Sequence, residues 1–165
     1  MARFQGTIGD DEIFGTRFND IVEGKAGNDS ISGWAGDDLL KGDEGNDRIY
    51  GGRGSDDLQG DAGNDYLDGG NGSDILEGGL GNDRLLGGAG SDVFLFADVN
   101  AGRDRILDFQ DGIDRIGFDL ATVNSFADLD ITQLASGNTL ISWDTGSVVL
   151  VGVTPAMLSA ADFTF

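Results

Sequence analysis

Ten aspartates recur at intervals of nine residues: Asp11, Asp20, Asp29, Asp38, Asp47, Asp56, Asp65, Asp74, Asp83 and Asp92. One residue type at one spacing, repeated this often, does one job many times. A carboxylate supplies two hard oxygens, and backbone carbonyls held beside it supply more. Calcium takes six to eight such oxygens in a flexible shell, whereas magnesium keeps its waters and demands strict octahedral order. Acid–base catalysis fits the pattern poorly, because it needs two carboxyls whose environments push their pKa values apart. No EF-hand loop of the form D-x-[DN]-x-[DN]-G with a glutamate at position twelve occurs, and no G-K-[ST] phosphate loop.

The residues around each aspartate repeat as well. From Gly6 to Leu95 the chain divides into ten blocks of nine without insertion. Glycine opens every block, and position four is glycine in all but one, where Phe18 stands. Position five is Asp, Asn or Ser, which suit tight turns. Position eight is always apolar: Ile13, Val22, Ile31, Leu40, Ile49, Leu58, Leu67, Leu76, Leu85 and Phe94. Each block therefore reads as a turn followed by a very short strand that shows one residue to a core. Such a unit buries nothing alone and must stack on copies of itself. Two blocks make a coil with a strand on either side, and ten blocks make five coils, a stack about 24 Å long. Stacking sets Asp11, Asp29, Asp47, Asp65 and Asp83 along one edge and the other five along the opposite edge. Carboxylates about 5 Å apart repel by several kcal/mol at an effective dielectric near 20, and a divalent cation between them reverses the sign.

Composition narrows the function further. The 165 residues hold 30 Asp+Glu against 10 Lys+Arg, a formal charge of −20, with no His and no Cys. This rules out His and Cys metal ligands, Ser-His-Asp and Cys-His nucleophiles, and disulfides. It also argues against a surface that follows the phosphates of DNA or RNA. No apolar run is long enough to span a membrane, and residues 1–6 lack the apolar core of a signal peptide. Acidity combined with 29 glycines predicts disorder for the metal-free chain.

Blocks such as Gly51-Gly52-Arg53-Gly54-Ser55-Asp56-Asp57-Leu58-Gln59 and Gly69-Gly70-Asn71-Gly72-Ser73-Asp74-Ile75-Leu76-Glu77 resemble the RTX, or hemolysin-type, nonapeptide G-G-x-G-x-D-x-U-x. The resemblance implies an all-β fold, a right-handed parallel β-roll with a C-terminal cap. It implies calcium between successive coils, held by the ten position-six side chains and, from the backbone, by the carbonyls of Gly24, Gly33, Gly42, Gly51, Gly60, Gly69, Gly78 and Gly87. Five aspartates per edge leave four gaps per edge, hence about eight ions. The implied role is a non-catalytic C-terminal module of a protein exported by type I secretion machinery. Such a module folds on calcium outside the cell and supports the secretion and folding of an attached enzyme. The alternative is a free-standing secreted adhesion or polysaccharide-binding protein. The sequence departs from the pattern in two ways. Position two is Thr7, Thr16, Lys25, Trp34, Asp43 or Asp61 in six blocks, where the backbone carbonyl still serves, whereas Phe18 at position four resists a positive φ, which weakens the Asp20–Asp38 site.

The organisation expected is a lead-in at 1–5, repeats at 6–95 and a cap with an export signal at 96–165. Two echoes of the repeat, Gly102-Arg103-Asp104-Arg105-Ile106 and Gly112-Ile113-Asp114-Arg115-Ile116, make Asp104 and Asp114 further candidate ligands. Residues 139–143 and 147–151 predict a hairpin around Asp144-Thr145-Gly146. Thr154-Pro155 predicts the start of a short helix running to Ala161. The ending Asp162-Phe163-Thr164-Phe165 is similar to an uncleaved export signal. At position seven, Ile21, Leu39, Ile75 and Val93 put an apolar stripe on the outside of one sheet. Either the C-terminal segment covers this stripe or it serves a dimer or a surface partner.

Overall fold

Every position-eight residue from Val22 to Phe94 is fully buried, so the one apolar residue per block does face a common core. The structure, a computed structural model, describes residues 1–98 and 101–165. Alternate blocks contribute to two parallel sheets. The first holds β1 (Arg3–Gln5), β3 (Ile21–Ala26), β5 (Leu39–Glu44), β7 (Asp57–Gln59), β9 (Ile75–Glu77), β11 (Val93–Phe96) and β13 (Arg115–Phe118) in that order. The second holds β2 (Glu12–Phe14), β4 (Ser30–Ala35), β6 (Arg48–Arg53), β8 (Tyr66–Asn71), β10 (Arg84–Ala89) and β12 (Gly102–Ile106). Neighbours pair in register at a distance of two blocks, as in Val22↔Leu40 and Ile31↔Ile49. The core is a double file of aliphatic side chains between the sheets, one residue per strand.

The roll extends beyond the ten blocks at both ends. Arg3–Gln5 of the lead-in forms β1 and pairs with β3. Past residue 95 the spacing grows, yet the register continues: Leu85 pairs with Ile106 and Phe94 with Ile116. The extra residues are taken up between strands, so about six turns form where ten blocks alone gave five.

A cap closes the C-terminal end. The expected hairpin is β15 (Thr139–Trp143) with β16 (Gly146–Leu150), but Gly146 pairs with Trp143 and the loop shrinks to Asp144 and Thr145. β16 runs parallel to β12, and β14 (Asp130–Gln133) adds an antiparallel edge strand that the sequence pattern did not announce. The last strand, β17 (Phe163–Thr164), pairs with β13. Phe96, Phe118, Trp143 and Phe165 form a ring cluster over this end, with centroids 5.0 to 5.9 Å apart.

Two expectations are corrected here. The helix from Thr154 to Ala161 does not form; two single 3-10 turns, Pro155–Met157 and Ala160–Asp162, take its place. Thr154 makes no side-chain cap bond, whereas Ser159 and Asp162 close a reciprocal capping box around the second turn. Nor does the C-terminal segment lie across the apolar stripe, because β17 extends that sheet edge-on. Of the stripe, Ile75 is exposed, while Ile21, Leu39 and Val93 are half-buried by their neighbours along the sheet.

A core one residue wide cannot refill a deletion. Leu58→Ala should cost about 2–5 kcal/mol in urea unfolding at saturating calcium. Ile75→Ala, on the exposed face, should stay within about 0.5 kcal/mol of the parent. Equal effects would contradict the assignment of the two faces.

Candidate metal centre

The turns ahead of the strands bury the aspartates. Asp20, Asp29, Asp38, Asp47, Asp56, Asp65, Asp74, Asp83 and Asp92 are all at most 3% exposed, and so are Asp104 and Asp114. Each of these carboxylates beyond Asp20 is anchored in the same way. Its Oδ1 accepts the backbone N–H of the aspartate one coil earlier, from Asp11 N–H to Asp29 Oδ1 (2.8 Å) through Asp65 N–H to Asp83 Oδ1 (2.8 Å). The two tail residues continue the ladder: Asp83 N–H donates to Asp104 (2.9 Å) and Asp92 N–H to Asp114 (3.1 Å).

The second oxygen is different. Among the described residues the Oδ2 atoms of Asp29, Asp38, Asp47, Asp56, Asp65, Asp74, Asp83 and Asp92 are buried with no hydrogen-bond partner. An ionised oxygen buried without a donor is costly, so this pattern calls for a positive partner. Glycine at position one makes room for it. A Cβ at Gly60 would lie 2.5 Å from the Gly78 carbonyl oxygen and 2.6 Å from Asp65 Oδ2. The same pair, an Oδ2 and the position-one carbonyl of the following coil, surrounds Gly24, Gly33, Gly42, Gly51 and Gly69. No group of three or more acidic side chains converges at one point among the described residues. A metal here must therefore draw most of its ligands from backbone carbonyls. Oxygen-only donors, few of them charged, fit calcium.

The first coil differs from the rest. Thr7 donates its backbone N–H (2.5 Å) and its hydroxyl (2.9 Å) to Asp11 Oδ2. Thr16 does the same to Asp20 Oδ2, at 2.7 Å for both bonds. Beside Asp11, the Lys25 ammonium donates to the Gly6 carbonyl at 2.8 Å. These turns also avoid the positive φ found at position four in every later block, such as +139° at Gly45, where a Cβ would collide with the Gly27 carbonyl. That is how Phe18 is accommodated. The side chains of Thr7, Thr16 and Lys25 carried no signal in the sequence, since their function depends on the conformation of the turn. At the other end Asp108 accepts the backbone N–H groups of Gly87 (2.9 Å) and Gly88 (2.8 Å), and Gln110 N–H closes Asp114 Oδ2 (2.8 Å).

Burial dominates the electrostatics of the metal-free roll. It raises the carboxyls of Asp38, Asp47, Asp74 and Asp83 to about 6, Asp56 to about 7, and Asp65 and Asp104 to about 8. Neighbouring carboxylates push the same way, and the backbone N–H bonds push back. Asp29, Asp92 and Asp114 are raised too. At Asp20 burial also acts upward, but the Thr16 hydroxyl and the amides outweigh it and hold the group below its ordinary value.

The repeat has a match among known families. Residues 5–40, 35–67 and 68–100 match the RTX calcium-binding nonapeptide repeat. The chain belongs to this family. The RTX repeat is a calcium-binding, non-catalytic module, and proteins that carry it are typically secreted and bind calcium outside the cell. No curated protein sequence matches the chain. Among solved structures, the extracellular lipase LipA from Serratia marcescens superposes with a TM-score of 0.53 at 21% identity. That alignment covers 100% of this chain and 40% of the lipase, and it shows a shared fold. The AlgE6R3 subunit of the Azotobacter vinelandii mannuronan C5-epimerase aligns with a TM-score of 0.41 at 27% identity, over 96% of this chain and 79% of that one. The RTX chain described here thus spans less than half of the lipase it resembles.

The raised carboxyls fix the pH response of the calcium-free protein. An unfolded-chain aspartate titrates near 3.9, so folding without metal takes up protons. The metal-free roll is then most stable below about pH 4 and loses that stability as pH rises through the folded values of about 6 to 8. Far-UV circular dichroism in chelator should show more β structure at about pH 5 than at about pH 8. More structure at the higher pH would refute the assignment.

Proposed function

We propose that this RTX module folds when calcium binds outside the cell, and that by folding it supports the secretion and maturation of an attached catalytic domain. The observation that carries the reading is the set of eight buried Oδ2 atoms, each without a donor. Metal binds the stacked coils and hardly the unfolded chain, so binding free energy becomes folding free energy. Extracellular calcium modules bind at roughly 10⁻⁴–10⁻³ M, well above the level of a calcium-poor cytoplasm. The chain therefore leaves the cell unfolded and closes outside it. The likeness to an extracellular lipase over 40% of that chain supports attachment to an enzyme, although the catalytic partner lies outside these residues.

The ion count stays at about eight, but the sites start one coil later than the spacing alone implied. Asp29 through Asp92 carry the side-chain ligands. The Gly42, Gly51, Gly60, Gly69, Gly78 and Gly87 carbonyls face them across the gaps, and Asp104 and Asp114 border the last two. Asp20 has both oxygens engaged and Asp11 has its Oδ2 engaged, and Thr7 and Thr16 take the place of metal in the first coil.

A calcium titration followed by circular dichroism, with ion stoichiometry from equilibrium dialysis, tests both points. Asp65→Ala should raise the folding midpoint several-fold and lose at least one ion. Asp144→Ala, in the hairpin loop, should change neither. Asp11→Ala should leave the ion count unchanged. Full β structure in chelator at neutral pH would sink the folding proposal; a lost ion in Asp11→Ala would sink only the metal-free first coil.

A further inference from the structure

Asn71 is the one asparagine of the chain that precedes a glycine. It fills position three of its block, where no other block carries asparagine, and Gly72 fills position four. The fold requires that glycine. Its φ is +147°, and a Cβ there would collide with the Gly54 carbonyl oxygen of the preceding coil. An Asn–Gly pair also carries chemistry of its own. With no side chain on the second residue, its backbone nitrogen has open access to the asparagine carboxamide carbon. The residue that closes the coil therefore also exposes its neighbour to attack.

The stacked roll shuts this route. Asn71 ends β8 in extended geometry, which turns the Gly72 nitrogen away from the Asn71 side chain. The Gly72 N–H donates to the Ala89 carbonyl at 2.9 Å, and the Asn71 carbonyl accepts the Gly54 N–H at 2.9 Å. Coils on both sides hold the strand in register, through Asn71↔Arg53 and Asn71↔Ala89. The Asn71 side chain itself is exposed. It stands apart from the amide ladder, in which Asn46, Asn64 and Asn82 each donate to the asparagine one coil earlier at 3.0 to 3.1 Å. Those three precede aspartates, whose side chains shield the next nitrogen.

We propose that Asn71–Gly72 is a self-modifying site, closed in the stacked roll and open in the metal-free chain. The inference rests on calcium-driven folding for what opens it. Once the coil is lost, the Gly72 nitrogen gives up its proton to water and attacks Cγ of Asn71. The Cγ–Nδ2 bond breaks, ammonia leaves with a proton taken back from water, and a cyclic succinimide remains. Water then opens the ring. Addition at Cγ gives aspartate on the original backbone. Addition at the main-chain carbonyl carbon gives an isoaspartyl residue, whose backbone runs through Cβ and Cγ and gains one methylene. In sum, the side-chain amide and one water become a carboxylate and ammonium. The isoaspartyl product lengthens the turn that leads to Asp74, whose Oδ1 accepts the Asp56 N–H at 2.8 Å. It pulls Gly72 and Asp74 off their partners in the neighbouring coils, so the altered chain closes the roll poorly. The site is thus a timer on the unfolded state.

Storage of the chain at neutral pH in calcium, in chelator and in urea tests the inference, with circular dichroism recording the fold of each sample. The tryptic peptide 54–84 carries the amide-to-acid mass gain at Asn71, with Asn64 and Asn82 as internal controls. Conversion at Asn71 should be at least about tenfold slower in calcium than in urea, because the amide reacts only in molecules open at that coil. Chelator should match urea, and the two controls should stay unconverted. Returned to calcium, the chelator sample should lose β structure in step with the isoaspartyl content of the peptide. Asn71→Gln, which cannot close the same ring, should fold at the parent's calcium midpoint and keep its folding capacity through the same storage. Equal conversion in calcium and urea would overturn the inference. So would conversion of Asn64 or Asn82 as fast as Asn71, or equal loss of folding capacity in Asn71→Gln and the parent. A chelator sample that stays folded and unconverted while the urea sample converts would refute calcium-driven folding alone and uphold the site.

Discussion

One hydrogen bond, repeated once per coil on each edge, sets the geometry on which everything else rests. An aspartate Oδ1 accepts the backbone N–H of the aspartate one coil before it. This bond fixes the rise between turns at the edges, as the strand ladders fix it within each sheet. It also immobilises the carboxylate, so that its second oxygen points into the gap beside a glycine carbonyl. One oxygen of each side chain thus holds the stack together, and the other is left without a donor.

That economy has an electrostatic cost. Columns of buried carboxylates destabilise the stack until protons or cations neutralise them, which ties folding to the ionic content of the surroundings. Because each coil touches only its neighbours, the ends need other solutions. At the N-terminus threonine hydroxyls satisfy the carboxylates from within their own turns. At the C-terminus a three-stranded meander and a cluster of rings cover the last coil, and Asp108 satisfies the final glycine amides.

Much of this was legible in the sequence because it is periodic. Position eight announced the core, position six the file of buried aspartates, and positions one and four the tight turns. The hairpin was visible as two β-rich runs around a turn. What escaped detection was aperiodic or conformational. Arg3–Gln5 is too short to carry a strand pattern. The sixth turn hid behind enlarged spacings, although Asp104 and Asp114 marked it. Thr7 and Thr16 looked like harmless departures at a degenerate position, and only Phe18 signalled that a turn of the first coil does not take a positive φ. The residues after Thr154 carry a helix-start signal, yet the segment is too short for an apolar face, and local capping by Ser159 wins.

The exact pairing of each residue with its counterpart two blocks on has a consequence for how such a molecule can change size. Coils between the two ends are interchangeable, since each offers its neighbours the same bonds on both sides. Adding or deleting a pair of blocks leaves every remaining contact as it was, whereas a single block would swap the sheets. The length of the roll is thus quantised: a ruler that lengthens or shortens by one strand spacing at a time, with its terminal fittings untouched.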